Sequence, residues 1–330
     1  MPSPLPLHPP PPKHHLVLPF AACTSENWLP AIKALPPATF RHFGKLLQGM
    51  KLMDNDRGEE HSLSTPHERV QAKALGLDAA DGLIPWAAWR HLQTGGSPGA
   101  KAWAHITPCH WAMGREHATM TDPAALDLQE GDSRVLLAAM QPYFETYGIT
   151  LHYAQPTRWL AEGEVFRTLP AASLDRVLGR NVDPWLPGGV AGRATRLLQN
   201  EMQMLLYTHP VNDARSARGQ RGVNSFWISD SGALPDNFSP AQLQPELTAP
   251  RTLAHAAFND DWAAYAEAWA ALDASEGARL LALQQSGETV RLSLCGERNA
   301  STFETSKTGI LTTFTRLFGQ PPFVSVLEQL

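Results

Sequence analysis

Cysteine is scarce in this chain. Cys23, Cys109 and Cys295 stand far apart among 330 residues. An odd, sparse set offers no disulfide framework and suits a reducing compartment. Long apolar runs are missing as well: nothing approaches the roughly 18–20 residues that cross a bilayer. That excludes a membrane-spanning helix and, with the cysteine usage, points to a cytoplasmic location. A basic excess is absent too. Lys and Arg number 27 against 32 Asp and Glu, a net charge of −5, so no broad positive field exists to hold nucleic acid. No internal repeat marks a solenoid. Met1–His15 lacks an apolar core and is mostly proline, which reads as an extended disordered tail rather than a signal peptide. Phe20-Ala21-Ala22-Cys23 looks faintly like a lipoprotein cleavage site, but the apolar run before it is too short and contains Pro19.

What is present is the balance of a folded protein: 43% hydrophobic and 18% charged residues, with ten tryptophans to fill cores or line a pocket. Leu16–Phe20 reads as a buried first strand. Lys51–His61 is charged and reads as a loop. Thr65-Pro66-His67-Glu68 has the pattern of a capping box opening a helix; His67, Glu68 and Arg69 fall in its first turn, where exposed backbone N–H groups favour an anion, or else they read as solvated charges. Gly95–Gly99 is the expected segment boundary. Strands are expected at Trp103–Thr107, His117–Thr121 and Val290–Cys295, and Asp132 or Ser133 is expected to cap a helix reaching Tyr147. Arg193–Thr208 is the clearest amphipathic helix, with Leu198, Met202 and Leu205 on one face. Mixed helices and strands throughout make the fold class α/β.

The densest group of chemistry-bearing residues follows that helix. His209, Asn212 and Arg215 come at its end, Pro210 bars further helix there, and Arg218-Gly219 leads into a strand that carries Asn224 near its start. An imidazole, two guanidiniums and two amides at such a corner can hold a carboxylate or phosphate. They can equally cap helix carbonyls and brace the loop. His105, Cys109, His110 and His117 are zinc-competent types, but their spacing fits neither a helical His pair nor a Cys knuckle. No metal and no cofactor is expected.

The run His209-Pro210-Val211-Asn212, Arg215, Arg218-Gly219 and Asn224, preceded by Gly179-Arg180-Asn181-Val182-Asp183-Pro184, resembles archaeal-type cofactor-independent phosphoglycerate mutases. The likeness covers roughly residues 100–235, that family's inserted substrate-side domain. With Ser64–Arg69 and Asp81–Trp86 included, the chain is still more similar to the proteobacterial RpfE-type regulatory proteins. The resemblance implies a degenerate alkaline-phosphatase-like fold with an inserted α/β subdomain. The implied arrangement is a Pro-rich tail at 1–15, a core from 16–99 with 236–330, and an insert at 100–235. It also implies a ligand-binding set of Arg180, His209, Asn212, Arg215 and Asn224.

The departures from the mutase pattern are chemical. Two-metal phosphoryl transfer needs Asp and His ligands and, in this superfamily, a Ser nucleophile. After the first strand the family has Asp-Gly; here Ala21-Ala22-Cys23 follows. A late strand should end in Asp-His; here Gly296-Glu297-Arg298 follows, with Arg298 placing a cation where a metal belongs. Gly131-Asp132-Ser133 resembles the nucleophile motif only superficially and reads as a helix cap. The expected function is therefore a non-catalytic regulatory or ligand-binding protein, with an anionic small molecule or a protein as partner. The alternatives are a mutase-like or phosphohydrolase enzyme and a protein-interaction module.

Overall fold

The chain leaves one folding unit, completes a second, and returns to the first. Met1–Gly58 and Ser239–Leu330 form unit 1, and Glu59–Phe238 forms unit 2. The computed structural model describes residues 12–236, 238, 246–306 and 322–330. Most of the expected Pro-rich tail lies outside them.

Unit 1 opens with β1 (His14–Leu18), α1 (Trp28–Lys33), α2 (Arg41–Gln48) and β2 (Met50–Arg57). Two residues assigned to the tail, His14 and His15, therefore belong to the first strand. The charged loop expected from Lys51 is a strand instead. It lies at the sheet edge, where exposed Lys51, Asn55 and Arg57 suit a solvent-facing strand and discourage further pairing.

Unit 2 continues with α3 (Pro66–Leu75), α4 (Trp86–Gln93), β3 (Ala102–Cys109), β4 (Trp111–Met113), β5 (Ala118–Met120), α5 (Glu130–Thr146), β6 (Thr150–Gln155) and β7 (Arg158–Glu162). It closes with α6 (Gly189–Tyr207), α7 (Pro210–Ala217) and β8 (Ser225–Ala233). Unit 1 then resumes with β9 (Glu246–Thr248), α8 (Thr252–Phe258), α9 (Trp262–Leu272), α10 (Ala278–Gln285), β10 (Val290–Cys295), β11 (Asn299–Thr305) and α11 (Phe323–Leu327). None of the described helices is long and apolar enough to cross a membrane.

The fold is mixed α/β. Unit 1 carries a five-stranded sheet in the order β2-β11-β10-β1-β9. β1 runs parallel to both β10 and β9, and β11 and β2 add antiparallel edges. β1 and β10 are buried along nearly their whole length, polar His15 and Ser293 included, because the sheet is covered there, as central parallel strands require. Leu16, Leu18, Leu292 and Leu294 bury against Phe43, Trp269 and Leu280. Unit 2 holds an antiparallel sheet, β6-β7-β3-β8, and a small β4-β5 ribbon. Its main core joins Ile106, Trp159 and Phe226 to Leu136 and Phe144 of α5 and to Leu198 and Met202 of α6.

The boundary expected at Gly95–Gly99 falls inside unit 2. α3 and α4 belong there because Ala72, Leu77, Trp86 and Ala87 bury with Trp103 and Leu160. α5 starts three residues before Ser133, so that serine is not its cap. The side chain is fully buried, donates to the Pro156 carbonyl at 2.7 Å and accepts from the Trp159 indole at 2.9 Å. Pro210 does not end helical structure; it begins α7 at the first helical position, where its missing N–H costs nothing.

Candidate functional site

The corner after α6 is built from side chains that bind their own backbone. His209 caps α7, its Nδ1 accepting from the Val211 N–H at 3.2 Å. The Asn212 amide donates to the carbonyls of Leu206 and Val223, both at 2.7 Å, and accepts from the Val223 N–H at 2.8 Å. Asn224 holds Trp111 on both sides, accepting from its N–H at 2.7 Å and donating to its carbonyl at 2.9 Å. Arg215 is fully buried. Its Nε donates to the Arg221 carbonyl at 2.9 Å, one terminal nitrogen donates to the Leu126 carbonyl, and the other lies 3.5 Å from Asp132. Arg218 reaches the same Asp132 carboxylate at 2.9 Å. The two guanidiniums thus share an internal anion, and the geometry is that of a brace. Arg180 is half-buried, and its carbonyl accepts from the Met120 N–H at 3.2 Å.

The zinc-competent residues do not converge. His105 pairs with Asp230 at 2.7 Å, His110 binds the Gly222 carbonyl at 2.9 Å, and His117 is exposed. Burial raises the Cys109 thiol far above its ordinary value. Among the described residues, no three His, Cys, Asp or Glu side chains are gathered as a metal site.

The strand ends of unit 1 bear on metal chemistry directly. β1 gives way to Phe20, in the left-handed region at φ 56°, and then to buried Ala21 and Ala22. The Ala21 N–H donates to the Cys295 carbonyl at 2.8 Å. Beyond β10, the Glu297 carboxylate accepts from the N–H and hydroxyl of Thr24 at 3.2 and 3.0 Å. Two methyl groups, a buried thiol and one carboxylate already bonded to Thr24 do not fit a pair of divalent ions, which call for several carboxylates and imidazoles.

A buried polar assembly lies in unit 2, where sequence reasoning expected solvated charge. Ser64, Thr65 and His67 are all buried, as are Asp175 and Arg176. The capping box forms, with the Thr65 N–H donating to Glu68 at 2.8 Å. The other Glu68 oxygen accepts from the Ser173 hydroxyl at 2.7 Å. His67 lies 3.2 Å from Asp175. Arg69 and Arg176 both donate to the Ser64 carbonyl, at 2.7 and 2.9 Å. Ser64, Glu68, Ser173 and Asp230 line one small cavity with Trp86, whose buried indole N–H has no hydrogen-bond partner. Burial holds the Glu68 carboxyl above its ordinary value; His67 opposes this, and the charges of Asp230 and Asp175 add to it. For Asp230, burial alone would raise the carboxyl, but the His105 hydrogen bond and the Arg90 and Arg158 charges carry it below its ordinary value. In the sequence the capping box at Thr65–Glu68 marked one part of this assembly; Asp230, between Ser229 and Ser231 in β8, and His105 in β3 gave no sign that they meet it.

Asp230 also sits at φ 63°, in the left-handed region that glycine prefers. Replacing it with alanine removes the anion facing His105 and Arg90 and is expected to cost about 2 kcal/mol. Asp230→Gly should cost roughly 1 kcal/mol less than Asp230→Ala, because it relieves the backbone. Urea unfolding of both variants checks the order; equal losses would remove backbone strain from the account.

No family model matches the chain. A stretch of 135 residues, 40% of the chain, is 24% identical to the 2,3-bisphosphoglycerate-independent phosphoglycerate mutase of Methanosarcina barkeri. The match spans 34% of that protein, about a third of its length. Two solved structures are similar over most of the chain. A cofactor-independent phosphoglycerate mutase from Thermoplasma acidophilum matches 90% of this chain and 91% of its own, at 11% identity and a TM-score of 0.36. The PH0037 protein from Pyrococcus horikoshii matches 89% and 88%, at 10% identity and a TM-score of 0.42. The chain is thus distantly similar to cofactor-independent phosphoglycerate mutase.

Proposed function

We propose that this chain is a non-catalytic relative of the cofactor-independent phosphoglycerate mutases, a ligand-binding protein with a regulatory role like that implied by its resemblance to RpfE-type proteins. The reading is carried by one observation: Ala21, Ala22 and the Thr24-bound Glu297 stand at the ends of β1 and β10. A protein that offers methyl groups there has no means of clamping the attacking and leaving oxygens of a transferring phosphoryl group. The full chain is expected to show no interconversion of 3- and 2-phosphoglycerate in a coupled assay with added manganese. It is also expected to carry less than stoichiometric metal by elemental analysis. Two ions per chain, or turnover that depends on manganese, would establish the enzyme reading instead.

A further inference from the structure

Beside α6 lies a second cavity, of about 310 Å³, whose walls are mostly apolar. Trp111, Leu186 and Leu197 form those walls, while Arg193, Arg196 and Asn200 bring polar groups to them. Among the described residues, no carboxylate lines the cavity. Arg193 is exposed, and Arg196 donates to a neutral group, the carbonyl of Pro187. Residues three apart on a helix are surface neighbours, and both arginines line this cavity with no carboxylate among its other lining residues. The aromatic wall is held rigidly. Asn224 grips the Trp111 backbone through both its N–H and its carbonyl, and the Trp111 ring lies 6.4 Å from that of Trp227. The corner that braces the chain therefore also fixes one side of this cavity.

We propose that the cavity binds a small anion with an apolar body, a carboxylate or phosphate monoester on an aryl or short alkyl group. The anionic head sits against Arg193 and Arg196, and the body lies against Trp111 and Leu197. Guanidiniums favour such heads through charge-assisted, two-point hydrogen bonds. The volume falls at the lower end for small-molecule sites, roughly 300–1,000 Å³. An apolar wall gives a fully polar anion nothing to bury, so the site distinguishes ligands by their bodies as well as their charge. The proposal rests on the ligand-binding reading above. Its test reads binding and not turnover, so the two fail separately: mutase turnover would overturn the non-catalytic part of that reading, and absence of binding would overturn this proposal.

The test is calorimetric titration of the full chain with phenyl phosphate, inorganic phosphate and benzylamine. Phenyl phosphate should bind at one site per chain, inorganic phosphate at least about threefold more weakly, and benzylamine not at all. Arg193→Glu should weaken phenyl phosphate binding by about tenfold or more while leaving the melting temperature unchanged, since Arg193 is exposed. Asn200→Asp adds a negative charge at a second exposed wall position and should weaken binding in the same direction. Absence of phenyl phosphate binding at millimolar concentration, benzylamine binding as well as phenyl phosphate, or wild-type affinity in Arg193→Glu would each overturn the proposal.

Discussion

Arg215→Ala is expected to destabilise unit 2 by about 3–4 kcal/mol. The side chain is fully buried and ties together three parts of the chain: the carbonyl of Leu126, the carbonyl of Arg221 and the carboxylate of Asp132. Truncation leaves the buried Leu126 carbonyl and the part-buried Arg221 carbonyl without this donor, opens a cavity and removes one of the two cations facing Asp132. Arg215→Lys keeps the charge but loses the fork that reaches two carbonyls at once, so it should recover no more than about half of the loss. Urea unfolding followed by tryptophan fluorescence gives both numbers. A loss under about 1 kcal/mol for Arg215→Ala would mean the guanidinium is not a brace. A ligand corner would show the opposite pattern, with little change in stability and weaker binding of anions.

Acid should weaken unit 1 through His15, beginning above the pH at which carboxylates titrate. His15 is buried in β1, with Nε2 2.8 Å from the Ser293 hydroxyl, which lies 2.7 Å from that of Thr302. Burial, with help from the Arg291 charge, pushes its pKa from 6.5 down to about 3. Above pH 6.5 the imidazole is neutral in the folded and unfolded chain and contributes nothing to pH dependence. Below that, the unfolded chain takes up a proton that the folded chain refuses, so stability falls throughout the window from 6.5 to about 3. The loss from this residue is on the order of 2–3 kcal/mol at pH 4.5 and grows further toward the acid end. His15→Gln retains a hydrogen-bonding side chain without titrating and should flatten most of that slope in unit 1. His105 in unit 2, also held low by burial, acts in the same direction, whereas Glu68, held high, opposes it. Urea midpoints of the wild type and of His15→Gln at pH 7.5 and 4.5 decide the matter. An unchanged slope in the variant would clear His15 of the role.

The regular elements were legible where one physical signal dominated. The capping box at Thr65–Glu68, the apolar run of β1 and the periodicity of α6 each announced an element. The strand Met50–Arg57 was not legible, because an edge strand carries the charge and exposure of a loop. Pro210 was misleading because proline both ends and begins helices, and only the position of His209 as a cap tells which. At the corner, the sequence grouped His209, Asn212 and Arg215 but could not show that Asp132 lies between Arg215 and Arg218, 86 positions from Arg218. The buried assembly around Glu68 was hidden for the same reason: Ser173 and Asp230 reach it only through the tertiary fold. The cavity beside α6 joins residues of that helix to Trp111 and was not foreseen.

The interrupted layout of unit 1 has a consequence for how the protein is made. His15 and its partner Ser293 are 278 positions apart. At synthesis rates of about 5–20 residues per second, β1 leaves the ribosome roughly 15–55 s before β10 exists. Unit 2 is complete in the chain by Phe238 and is free to fold in that interval, while β1, an apolar strand without its parallel neighbours, must wait. A nascent chain in that state exposes an adhesive segment, the kind that chaperones cover. Opening the chain between β1 and α1 in a circular permutant, so that β1 follows α11, would shorten the wait to seconds, and aggregation during expression should fall with it.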